Sequence, residues 1–123
     1  MTLSALIAQL TAATEEDQHT VFYDVLKFLS AERMIDEDTF ERAWALRNAG
    51  AYLDAAMTLY KFVTEGWDFR LEKCPLGYDF EMWDKDPINP SCQFYNEINV
   101  KTAALAICLA SVRAIESMKR GTE

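Results

Sequence analysis

The sequence predicts an α+β fold, a small antiparallel sheet of about three strands packed between helices, with a helical N-terminal half. Three observations predict it. Apolar residues recur at helical spacing before Val63 and again after Val100. Between Trp67 and Met82 they instead alternate with charged residues one by one, the period of a strand. The chain has 123 residues, half of them apolar and 12% aromatic, enough to bury one core without staples. The reading is therefore a single domain over 1–123, with a helical segment at 1–50 and a helix–hairpin–strand–helix sandwich at 51–120.

Each element has its own signal. Leu3, Leu6, Ile7 and Leu10 share one helical face and predict a short first helix. Thr14 with Asp17 three residues on forms a capping arrangement for a second helix to about Arg33, with Val21, Val25, Phe28 and Leu29 on its apolar side. Asp36 reads as the N-cap of a third helix, and Glu37 and Asp38 place acids in its first turn. That helix carries Phe40, Ala43 and Trp44, and Gly50 ends it. Tyr52, Ala55, Ala56, Leu59, Tyr60 and Val63 give the cleanest helical stripe, stopped by Gly66.

Residues 67–73 and 78–83 predict a hairpin around the turn Cys74-Pro75-Leu76-Gly77. A two-residue loop at Pro75-Leu76 sets Phe69 opposite Met82 and Leu71 opposite Phe80 on a buried face. It sets Arg70 opposite Glu81 on a charged face. Asp84 to Pro90 reads as a loop, and Cys92 to Ile98 as a third strand favoured by Phe94 and Tyr95. Asn99 is the expected N-cap of a last helix from Val100 to about Arg120. Because that helix is apolar nearly all round, it is expected to be buried on more than one side.

The stretch Tyr52-Leu53-Asp54-Ala55-Ala56-Met57-Thr58-Leu59 leads into Glu65-Gly66-Trp67-Asp68-Phe69, and the chain closes with Thr102-Ala103-Ala104-Leu105-Ala106-Ile107-Cys108-Leu109-Ala110. These residues, with the opening Leu6 to Glu15, resemble the phage ABA sandwich domain of small phage and prophage proteins. The resemblance covers about two-thirds of the chain. The segment Gln18 to Ala49 lies outside it, and Asn99-Val100-Lys101-Thr102 stands where the family usually has Ala-Thr-Pro. It implies an α/β sandwich layout and a phage or prophage setting, and it implies no activity. From Tyr52 onward the element order also resembles a double-stranded-RNA-binding domain. Such a domain needs a lysine cluster opening its last helix, where this chain has only Lys101.

Net charge is −8, and only the last segment, from Asn99 on, has more bases than acids. That balance argues against a nucleic-acid surface. The longest apolar stretch, Ala103 to Val112, is too short to span a bilayer, and Met1 to Leu10 lacks a basic head. The expected setting is the cytoplasm, the host's if the chain is phage-encoded, with no membrane partner. Cys74, Cys92 and Cys108 are read as reduced thiols, with a Cys74–Cys92 bridge as the alternative that spacing does not decide. His19, the sole histidine, lacks a local signature for a triad or a metal site and reads as a surface residue. Asp36-Glu37-Asp38 lacks the glycine and glutamate of a calcium loop. Asp84, Asp86 and Glu97 read as a solvated loop patch. No catalytic residue, cofactor or metal is expected.

What remains is the charged face of the hairpin, with Asp68, Glu72, Asp79 and Glu81 against Arg70, and Trp83 at its end beside Asp68. Trp83 is either an anchor for a partner or covered by the 85–91 loop. The expected function is a phage-type accessory protein that binds another macromolecule, a basic protein first, without catalysis. The alternative is an acidic inhibitor occupying the nucleic-acid site of a host defence protein. A homo-oligomer is compatible with either.

Overall fold

A computed structural model describes residues 1–64, 67–83 and 94–121. In chain order these form α1 (Leu3–Ala12), a 3₁₀ turn at Glu15–Asp17, α2 (Gln18–Ala31), α3 (Glu37–Asn48), α4 (Tyr52–Val63), β1 (Asp68–Cys74), β2 (Gly77–Trp83), β3 (Phe94–Val100) and α5 (Ala103–Gly121). The strands make one antiparallel sheet in the order β1-β2-β3. The α+β class read from the sequence is the observed one.

The helix ends follow their local chemistry. The Asp17 carboxylate accepts the Thr14 backbone N–H at 2.9 Å, closing a capping box ahead of α2. Asp36 caps α3 by accepting the Thr39 N–H at 2.8 Å. Hydrogen bonds from Thr39 hold its carboxyl below the usual carboxylate range. Helices α2 and α3 stop in the same way, with paired bonds back into the last turn. Arg33 and Met34 donate to Ser30 and Leu29, and Gly50 and Ala51 donate to Arg47 and Leu46. The turning residue is left-handed in both, Gly50 at φ +77° and Arg33 at φ +57°.

The hairpin register is the predicted one: Phe69 faces Met82, Arg70 faces Glu81, Leu71 faces Phe80 and Cys74 faces Gly77. Burial along it is uneven. Phe80 and Met82, in the middle strand, are fully buried, Leu71 is half-buried and Phe69 is 42% exposed. Parity assigned the face correctly, but among the described residues β1 pairs with β2 alone, so that strand is at the sheet edge and one of its flanks has no strand beside it there. Phe69 stacks on Phe80 with ring centres 5.5 Å apart, and Tyr60 of α4 meets both rings edge-on. Burial pushes the Tyr60 phenol up from its ordinary value.

Asn99 is not the N-cap of the last helix. It lies inside β3 at φ +58°, where the pairing slips by one residue between Tyr78 and Phe80, and its N–H donates to Asp79 Oδ1 at 3.1 Å. The strand thus runs two residues further than expected, to the buried Val100. The cap is Thr102, whose Oγ1 accepts the Leu105 N–H at 3.1 Å and donates to Gln18 Oε1 at 2.7 Å. The expected stop at Gly66, the loop Asp84 to Pro90 and Cys92 lie outside the described residues.

Helix α5 is the centre of the molecule. Every residue from Ala104 to Val112 is buried, and the helix packs against α4, α1, β2 and β3. Helix α3 packs on α4 and α2, one layer further out. Each large side chain buried here contributes roughly 1.5–3 kcal/mol of transfer free energy. An all-round apolar helix is stable only in such a position.

Candidate functional site

The register carries Asp68, Arg70 and Glu72 of β1 and Asp79, Glu81 and Trp83 of β2 on the sheet face opposite Phe80 and Met82. All five residues singled out from the sequence, Asp68, Glu72, Asp79, Glu81 and Trp83, are therefore brought together. Glu72 is exposed, and the other four are half-buried. Trp83 faces Asp68 across the strands. Arg70 is engaged within its own strand, with its guanidinium 3.3 Å from Glu72 Oε2. Both partners are well exposed, so this contact contributes little to stability.

Asp79 has a second duty that the sequence did not disclose. One carboxylate oxygen accepts the Asn99 N–H, and the other accepts the Cys74 thiol at 3.2 Å. It joins all three strands. That explains why a carboxylate persists directly opposite Glu72, where like charges weaken a sheet. The Asp79 hydrogen bond also pushes the Cys74 thiol up, and burial pushes Cys108 up to about 12. Neither described cysteine is a thiolate near neutral pH.

His19 Nδ1 lies 3.0 Å from the Tyr52 hydroxyl on the surface. Among the described residues no three His, Cys, Asp or Glu side chains gather as metal ligands, and no helix is long and apolar enough to cross a membrane. A groove of about 450 Å³ between α3 and α4 is lined by Asp36, Asp38, Arg42, Asp54, Lys61 and Phe62 among others. An apolar one of about 400 Å³ runs between Met34, Val63, Ile115 and Met118. Neither His19 nor a described cysteine lines either groove.

One cluster escaped sequence reading. Phe40 stacks on Trp44, Tyr23 lies 5.3 Å from the same indole, and Lys27 Nζ and Arg47 Cζ stand 5.3 and 4.9 Å from its centre. The buried Arg47 guanidinium also donates to the His19 carbonyl at 2.9 Å, tying α3 to α2. Tyr23 with Lys27 four residues on, and Trp44 with Arg47 three on, are the pattern that signals it.

No family model matches the chain, and neither a curated protein nor a solved structure was found to match it.

Proposed function

We propose that this chain is a non-catalytic binding module of the phage accessory kind, taking a basic protein partner on the charged face of its hairpin. The observation that carries the reading is the row of Glu72, Glu81 and Asp68 on one face of the two-stranded register, ending at a half-buried Trp83. An aromatic at the end of a row of carboxylates offers apolar contact area beside steering charge. The protonated state of both described thiols and the surface pairing of His19 with Tyr52 support a role without nucleophilic chemistry.

The test is capture from host lysate by the immobilised protein, compared with a Glu72→Gln/Glu81→Gln variant. Asp79 stays untouched because it holds the strands together. The reading expects a captured basic protein that is lost on the double variant and released as salt rises from roughly 0.05 to 0.5 M. Capture unaffected by the variant removes this face as the site.

A further inference from the structure

Strand β1 has β2 as its single sheet neighbour among the described residues. Its two-residue turn closes on a hydrogen-bonded pair, Cys74 with Gly77, and such pairs recur at every second residue. Arg70 and Glu72 therefore direct their backbone N–H and C=O groups to β2. Phe69, Leu71 and Lys73 direct theirs to the open edge. The same three side chains lie on the apolar side of the strand, with Phe69 42% exposed and Leu71 half-buried. An edge that combines free backbone groups with exposed apolar surface is a template for another strand.

We propose that this edge pairs with the β1 edge of a second copy, antiparallel and centred on Leu71, joining two three-stranded sheets into one of six strands. The register follows from charge. A strand that pairs with itself about a two-fold axis sets one residue against its own copy, and residues on the same face must stay together. Centring on Arg70 opposes two arginines, and centring on Glu72 opposes two glutamates. Centring on Leu71 opposes Arg70 of each copy to Glu72 of the other, twice over, with Leu71 meeting Leu71 on the apolar face. Leu71 is also the midpoint of Asp68–Cys74, so the whole strand overlaps. Phe69 then lies opposite Lys73, whose aliphatic stem covers the ring while its charge reaches water. The Arg70–Glu72 contact within one strand is exchanged for two between copies. The charged face of the hairpin would be doubled on one continuous surface.

Seven residues a side make a small interface, so the dimer forms at high concentration. Sedimentation at roughly 0.1 mM protein tests it. The expected mass is twice the 14.1 kDa of one chain, falling to one chain on dilution. Arg70→Glu alone opposes two pairs of acids and yields a monomer, as Glu72→Arg alone does with two pairs of bases. Mixing these two variants in equal amounts restores the dimer, because each now complements the other. Hydrogen exchange gives a reading free of substitution. Protection of the Phe69, Leu71 and Lys73 amides rises with concentration, while that of Arg70 and Glu72 does not. A wild type that stays monomeric, single variants that stay dimeric, a mixture that stays monomeric, or edge amides indifferent to concentration would each overturn the proposal.

Discussion

A Cβ added at position 77 would stand 2.5 Å from the Val100 carbonyl oxygen, and the backbone there has φ +153°. Both facts require glycine where the hairpin turns beneath the end of β3. Gly77→Ala should lower stability by about 1–3 kcal/mol in a urea melt, because the obstacle is backbone and cannot swing away. At the centre of the molecule, Leu109 is fully buried on α5. Leu109→Ala should cost about 2–5 kcal/mol; a loss well under 1 kcal/mol would place α5 at the surface. Cys108 beside it gives a pH signature. Burial raises its thiol from 9.0 to about 12, so the folded state favours the neutral form. The stabilising effect is complete below pH 9 and is lost as pH climbs towards 12. Thermal melts should therefore fall across that window, and fall less in Cys108→Ala.

At the scale of elements, the hairpin was legible because two signals agreed. Strict alternation on both strands and an even loop between them left one register that keeps Phe69, Leu71, Phe80 and Met82 together. Which strand lies at the edge was not legible, since alternation reports a face and not a neighbour. The exposure of Phe69 follows from that edge position. The start of α5 was misread for a different reason. Asn99 and Thr102 are both good N-cap residues by type, but the tie from Asp79 to the Asn99 N–H and the pairing of Val100 with Tyr78 keep Asn99 in the strand. That tie spans twenty residues and leaves no local pattern. The correction is testable. Thr102→Val removes both the cap and the bond to Gln18 and should cost about 1–3 kcal/mol. Asn99→Gly should cost nothing or stabilise, because it relieves a left-handed Cβ without touching the cap. Equal losses in the two variants would return the cap to Asn99.

For the whole molecule, the grouping of Asp68, Glu72, Asp79, Glu81 and Trp83 was legible from parity alone. The division of labour within it was not. Asp79 belongs to the architecture of the sheet, leaving Glu72 and Glu81 as the carboxylates to vary in a test of binding. The cluster of Tyr23, Phe40 and Trp44 with Lys27 and Arg47 was not legible in the sequence, because it forms only when α2 and α3 pack. The central claim is that the charged hairpin face, and not acidity in general, accepts a basic partner. The measurement that reaches it most directly is the titration of a lysine-rich peptide against three proteins. These are the wild type, Glu72→Gln/Glu81→Gln, and Glu15→Gln/Glu16→Gln, which makes the same change of charge on exposed residues of the 3₁₀ turn. The account predicts that the hairpin variant weakens binding by roughly tenfold or more, about 1.4 kcal/mol, while the control stays close to wild type. Equal weakening in both variants would mean that net charge alone attracts the peptide, and it would contradict the assignment of this face as the site.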